Sequence, residues 1–372
     1  MRIGMSTLSG VSYGGVTYFK QFIPELAKVD VHNEYHIFVP AGDQLSKTVR
    51  QKNFHFYQCP LHTNSPFLRM LWEQFVLPSK VKRKRIDVFF TAKNANIMFV
   101  SCKTIVAIRN MEPLCYRQYK NHWKLDVLSW LRGVLTKISV KRADRVVTVS
   151  QFSKSVVERI SPEIGERTDI VYNGGLKNPI RRDSSNGKPQ FLLSASKFVA
   201  YANQLNLVKG YALLCRKRTD GPHLWLAGGV HDTVYFQKIQ RFIAEENLTD
   251  RIKILGLIPH EQMMELYGRA LAFVFPSTLE ACPNTLIEAM AHGLPIATSQ
   301  TEPMPEICRD AATYFDPSKI GDIADKMEAA AFDIGLRKRL QEASLERCQF
   351  FNWEKTANEM VDIFGKVHRY QV

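Results

Sequence analysis

Much of what a chain of 372 residues could carry is missing from this one. Its seven cysteines, at 59, 102, 115, 215, 282, 308 and 348, are odd in number, scattered and never spaced Cys-x-x-Cys. That excludes a disulfide framework and a cysteine-based zinc site, and makes a reducing cytoplasm the expected setting. No run of about eighteen apolar residues occurs, so no membrane-spanning helix is expected. Met1-Arg-Ile-Gly-Met-Ser lacks the apolar core of a signal peptide. His62, His122, His231, His260 and His292 show no metal-like grouping, there is no Asp-x-Asp, and no low-complexity tract or short repeat is present.

What is present reads as two ordinary globular domains. The chain is too long for one core, and its 45% hydrophobic content excludes disorder as the default. The net charge of +14 is unevenly spread: residues 1–176 hold 26 Lys and Arg against 13 Asp and Glu, the remainder 24 against 23. The excess clusters in Lys80-Val-Lys-Arg-Lys-Arg85 and between Arg117 and Arg145. The second cluster also holds Trp123, Leu125, Leu128, Trp130, Leu131 and Leu135, so it reads as an amphipathic basic helix or helix pair. Such a face either lies on an anionic bilayer or packs its stripe into its own domain. No nucleic-acid module surrounds it, so nucleic acid is not the expected partner.

Strands alternate with helical patterns, which predicts parallel, doubly wound sheets. In the first half the expected strands are 2–6, 35–40, 54–59, 88–91, 104–108 and 145–150; residues 65–84 read as one helix containing Trp72-Glu73-Gln74. The aperiodic, turn-rich stretch 177–188 reads as a linker. The second half repeats the design at 191–194, 224–227, 252–255, 272–275 and 295–299, and a last helix starts at Trp353. Gly10, Gly14 and Gly15 follow the first strand. Their spacing is not Gly-x-Gly-x-x-Gly and no acidic residue ends the second strand, which excludes a nicotinamide site.

The most specific stretch is Glu280-Ala-Cys-Pro-Asn-Thr-Leu-Ile-Glu288-Ala-Met-Ala-His-Gly-Leu-Pro295. The apolar run Leu271 to Phe275 predicts a buried strand, Asn284 an N-cap, and Thr285 to His292 a short helix closed by Gly293 and Pro295. Glu280 then sits on the loop at a strand's carboxyl end, where open α/β sheets bind ligands, and Glu288 about one turn into the helix. A helix start there favours phosphate. Two carboxylates beside it can accept hydrogen bonds from a sugar and a ribose, so the local chemistry suggests a sugar nucleotide. His292 reads as complementing the helix C-terminus.

These residues resemble the Glu-x7-Glu motif of retaining GT-B glycosyltransferases of family GT4. Tyr13-Gly14-Gly15-Val16, Val147-Thr-Val-Ser150-Gln-Phe-Ser153-Lys, Ile170-Val-Tyr-Asn173-Gly174, Leu193-Ser-Ala-Ser-Lys197 and Phe351-Asn-Trp353 resemble further motifs of that family, in its order. The resemblance implies two Rossmann-like doubly wound domains facing across a cleft: 1–176 on the acceptor side, 177–352 binding the nucleotide sugar, and 353–372 a helix returning to the first. It implies that Glu280 holds donor-sugar hydroxyls and Glu288 the ribose. The backbone of Ala281, Cys282, Asn284 and Thr285 would face sugar and phosphate, Leu257 and Ile258 the base, and Gly14 and Gly15 the donor. No metal or other cofactor is implied.

Two positions depart from the family. Lys197 stands for its usual Arg, and Ala202 for the Lys that faces the diphosphate; Asn203, Gln204 or Lys209 would have to compensate. Ile108-Arg109-Asn110 replaces a His-Asp pair, and Arg109 cannot act as a base near neutral pH. The expected function is transfer of a hexose from a UDP- or GDP-sugar to a glycan or polyprenyl-linked glycan at the cytoplasmic face of the inner membrane, in surface-polysaccharide assembly. Ala202 motivates the alternative, a non-catalytic nucleotide-sugar-binding or scaffolding subunit.

Overall fold

The computed structural model describes residues 1–8, 13–60, 65–118, 123–176 and 191–369; Gly10 and the expected linker at 177–188 lie outside them. The chain forms two compact units. One comprises Met1–Leu114, Ser129–Gly174 and Asn352–Val372, the other Cys115–Leu128 and Gly175–Phe351.

The first unit is built on a parallel sheet of β1 (Arg2–Ser6), β2 (Glu34–Val39), β3 (Phe54–Gln58), β4 (Val88–Thr91), β5 (Lys103–Ile108), β6 (Arg145–Thr148) and β7 (Thr168–Ile170), in the order β3-β2-β1-β4-β5-β6-β7. Its central strands are apolar on both faces, as a sheet covered by helices on both sides requires. Phe89 and Phe90 show this on adjacent residues. Phe89 packs with Phe38, Trp72, Leu77 and Val81, whereas Phe90 packs with Tyr18, Phe22 and Phe364. The last of these comes from the helix Trp353–Arg369, which buries Trp353, Ala357, Met360, Phe364 and Val367. Their spacing of three or four residues puts them on one helical face. Gly174 makes room for this helix: a methyl group there would lie 2.3 Å from Cγ of Trp353.

The second unit holds β8 (Phe191–Ala195), β9 (His223–Ala227), β10 (Ile252–Gly256), β11 (Ala272–Phe275), β12 (Ile296–Ser299) and β13 (Ala312–Phe315), all parallel, in the order β10-β9-β8-β11-β12-β13. In both sheets the order reverses beside the first strand, between β1 and β4 and between β8 and β11. Ligands of open α/β sheets bind outside the carboxyl ends of the strands at such a reversal.

Three local expectations are corrected and one open reading is decided. Residues 65–84 do not form one α-helix: Pro66–Leu71 and Leu77–Arg83 are separated by a π-helical turn, Trp72–Val76. The segment Ile170–Gly174, which the family resemblance reads as the strand before the linker, is strand only at Ile170. β13 was not foreseen, because Ala-Thr-Tyr-Phe is a short edge strand with neither alternation nor an apolar run. The basic helix, Trp123–Arg142, is built inside out. Its inward positions are Ser129, Gly133, Thr136 and Ser139, all buried, and Gly133 comes so close to its neighbour that a methyl group would lie 2.3 Å from the Pro113 carbonyl. Leu128, Trp130, Leu131 and Leu135 are instead 42–48% exposed. These four members of the stripe therefore face outward; the side chains of Trp123 and Leu125 lie outside the described residues. Phe75 and Phe99, each more than 60% exposed, stack 6.0 Å apart on the same unit. Arg142 and Ser139 of the helix bond to Met98 and Asn96, beside Phe99, so the two apolar surfaces border one segment. Among the described residues no helix is long and apolar enough to cross a membrane.

Candidate functional site

In the second unit the candidate residues gather where the sheet order reverses. β8 runs out into Lys197, which is exposed. β11 runs out into Pro276 and the loop to Glu280. The two loops are stitched together: Thr278 donates to the Tyr201 carbonyl through both its backbone N–H, at 2.8 Å, and its hydroxyl, at 2.9 Å. Ser277, fully buried, donates its hydroxyl to Oε1 of Glu280 at 2.9 Å. Burial pushes the Glu280 carboxyl up to about 7, against the pull of the Ser277 hydrogen bond and the Lys197 charge.

The helix that follows is Asn284–Ala291, one residue earlier than expected. Pro283 is its N-cap, so Asn284 stands inside the first turn rather than before it. Its end is as the sequence predicts. Gly293 adopts φ +58°, its N–H donates to Met290 and that of Leu294 to Ala289, which is the Schellman pattern. His292 Nδ1 lies 2.8 Å from the Glu288 carbonyl, so the imidazole serves the helix end. Glu288 points off this helix with a side chain 15% exposed. Tyr267 donates its hydroxyl to Oε2 at 3.2 Å, and His260 Nδ1 lies 3.9 Å from Oε1. Burial raises this carboxyl too, to about 7, opposed by the Tyr267 hydrogen bond. Tyr267 and His260 were not foreseen as partners of Glu288, since nothing in their spacing separates them from an ordinary helix face.

Leu257 follows β10 and is 50% exposed; Gly256, at φ +65°, turns the chain toward it, with Ile258 half-buried next to it. Ala281 and Cys282 are buried, and Asn284 and Thr285 are partly so. Ala202 is 1% exposed inside a tight turn. The three residues that would have to compensate for it are engaged elsewhere. Asn203 donates to the Pro317 carbonyl at 2.9 Å, Gln204 to Ser196 Oγ at 2.8 Å, and Lys209 stands 5.8 Å from the Phe242 ring.

In the first unit Arg109 follows β5. Its guanidinium lies 3.6 Å from the Tyr18 ring centroid and donates to Asn173 Oδ1 at 3.2 Å. Asn94, just past β4, fixes the neighbouring backbone: its Oδ1 accepts from the N–H groups of Arg109 and Asn110 at 3.0 and 3.1 Å. Asn110 uses its own Oδ1 to accept from the Glu112 N–H at 3.0 Å. Gly14 and Gly15 lie in the first turn of the helix Tyr13–Val29. One group here escaped sequence reasoning: Glu73, 1% exposed, accepts from Ser6 Oγ at 2.9 Å and pairs with Lys93. Among the described residues no cluster of His, Cys, Asp or Glu could hold a metal ion.

The family description "Glycosyltransferase Family 4" matches residues 13–174, and "Glycosyl transferases group 1" matches residues 177–347. Among curated proteins, the O-antigen chain mannosyltransferase B of Escherichia coli is 25% identical over 238 residues, 61% of each chain. The O-antigen chain mannosyltransferase RfbU of Salmonella typhimurium is 26% identical over 183 residues, 49% of this chain and 50% of that one. The matches thus span between half and two thirds of these relatives' own length. Among solved structures, HepE of Anabaena in complex with UDP-glucose superposes with a TM-score of 0.75 at 14% identity, covering 98% of this chain and 100% of that one. A glycosyltransferase of Rickettsia africae gives 0.70 at 17%, covering 100% and 99%. These two likenesses establish the two-domain GT-B fold.

Proposed function

Because the chain belongs to the GT-B glycosyltransferases of group 1 and family 4, we propose that it moves a hexose from a UDP- or GDP-sugar to a glycan or polyprenyl-linked glycan during surface-polysaccharide assembly. The observation that carries this is the pair of half-buried carboxylates, Glu280 and Glu288, on the loop and helix beyond β11, with Lys197 beside the first. Glu280 accepts hydrogen bonds from the donor sugar and Glu288 from the ribose. Lys197 and the start of the helix Asn284–Ala291 face the diphosphate, whose departure they ease electrostatically. The anomeric carbon loses its phosphate oxygen and gains the acceptor oxygen on the same face, and the leaving phosphate takes the acceptor's proton. Arg109, always charged, serves as a cation and not as a base. The relatives named as O-antigen chain mannosyltransferases favour mannose as the sugar and an O-antigen chain as the acceptor.

Titration calorimetry with UDP and GDP tests this. One nucleotide should bind, and Glu288→Ala should weaken it by about ten- to a hundredfold, the worth of a hydrogen bond to a charged group. Hydroxyl donors favour the ionised carboxylate, so binding should release protons and tighten as pH rises through about 7. In the free protein the sign is opposite. A carboxyl raised above its unfolded value of 4.5 makes stability fall as pH rises from there to about 7. Failure of both nucleotides to bind overturns the reading.

The acceptor setting follows from the inside-out helix. An outward stripe of Trp130, Leu131 and Leu135 among Arg132, Lys137, Lys141 and Arg142 suits the cytoplasmic face of an anionic bilayer, the apolar side chains entering the headgroup boundary and the cations meeting phosphate. With phosphatidylethanolamine–phosphatidylglycerol vesicles, the chain should co-sediment. Serine at 130, 131 and 135 should abolish this, and glutamate at Lys82, Arg83, Lys84 and Arg85 should weaken it. Wild-type sedimentation by both variants would exclude this setting.

A further inference from the structure

Trp72-Glu73-Gln74 takes no part in the chemistry above, yet all three side chains clamp the segment that follows β4. Trp72 shares a core cluster with Ile97. Gln74 donates to the Asn96 carbonyl at 2.9 Å and accepts from the Met98 N–H at 2.9 Å. Glu73 holds Lys93. The triplet occupies the π-helical turn, an interruption that helices frequently carry at functional sites.

Glu73 also bridges the sheet's point of reversal. Ser6, which donates to its Oε1, is the last residue of β1, and Lys93, paired with Oε2, comes two residues after β4. β1 and β4 are neighbours with Ser6 in register with Thr91. The pair is asymmetric in exposure: the Glu73 side chain is 2% exposed, that of Lys93 23%. An ammonium has three N–H donors, and Glu73 fixes its direction while leaving it open to solvent. Stability does not call for this arrangement, since apolar residues often replace a buried ion pair without loss. The pair has no net charge, so it offers directed donors more than a field that attracts anions.

We propose that Lys93, positioned by Glu73, donates hydrogen bonds to hydroxyl oxygens of a neutral sugar, the terminal unit of the acceptor, at the carboxyl ends of β1 and β4. The identity of that sugar as acceptor rests on the transferase reading; the site does not. Lys93 binds, and Glu73 acts through it.

Saturation-transfer NMR on the full chain tests this with methyl glycosides of mannose, glucose, galactose and N-acetylglucosamine as probes, with UDP or GDP present. Wild type should show saturation of at least one glycoside. Glu73→Gln and Lys93→Met should weaken it by about ten- to a hundredfold and leave nucleotide affinity unchanged. Lys93→Met leaves the buried Glu73 charge unpaired and loses stability, and Glu73→Gln loses less because Lys93 reaches solvent. The double variant Glu73→Leu/Lys93→Met removes both charges, so it should recover thermal stability and not sugar binding. Recovery of both, undiminished saturation in the single variants, or no saturation in wild type overturns the proposal. Loss of nucleotide binding in wild type would instead indict the transferase reading, since those contacts belong to the second unit.

Discussion

Glu280→Gln is expected to slow sugar transfer by about 10²–10³-fold, the scale on which one preorganised electrostatic contact acts in a water-poor site. The substitution keeps the shape and the hydrogen bond from Ser277 Oγ but removes the charge. Two arguments set the size. Glycosyl transfer gathers positive charge at the anomeric centre, which a carboxylate stabilises and an amide does not. And Glu280 already resists ionisation in the free protein, its carboxyl held near 7 by burial, so the negative charge forms fully only against hydroxyl donors and a developing cation. The loss should fall on kcat. UDP or GDP affinity should stay near wild type, because the ribose contact is assigned to Glu288. A variant that loses nucleotide affinity and keeps its turnover would reverse the two assignments.

Gly228→Ala is expected to cost about 3 kcal/mol of stability or more, the upper end for forcing atoms into a packed site. Gly228 follows β9 at φ +150°, and an added methyl group would lie 1.9 Å from the Ser196 carbonyl oxygen and 3.4 Å from the Lys197 nitrogen. Neither can yield cheaply, since both are backbone in the loop beyond β8, tied by Phe198 N–H to Gly229 and by Ser196 N–H to Ala227. What survives folding should therefore bind nucleotide more weakly, through a displaced Lys197. Thermal melts and nucleotide titration of the same variant check both effects; a stable variant with unaltered nucleotide affinity would show that this loop is compliant.

The doubly wound sheets were legible because parallel strands buried on both faces leave continuous apolar runs, and 88–91 was read to the residue. The loop–helix unit around Glu280 and Glu288 was legible for another reason: Gly293 and Pro295 punctuate it locally. What escaped reading was set by tertiary partners. The π-helical turn at Trp72–Val76 carries Glu73, whose partners Ser6 and Lys93 are far from it in sequence. The helix Trp123–Arg142 left two readings open because periodicity reveals a stripe but not the side that faces inward; a row of Ser, Gly, Thr and Ser at spacings of three and four marks the inward side. The engagement of Asn203 with Pro317, 114 residues away, is equally invisible before folding.

The return of the last helix has a consequence for how this protein is made. Trp353, Met360, Phe364 and Val367 complete the core around Tyr18, Phe22 and Phe90, so that core stays open to water until the helix Trp353–Arg369 has left the ribosome. The second unit, encoded between the two halves, can close earlier. Synthesis thus reverses the ordinary N-terminal-first order, and a chain interrupted before Trp353 would carry a finished second unit joined to an unfinished first.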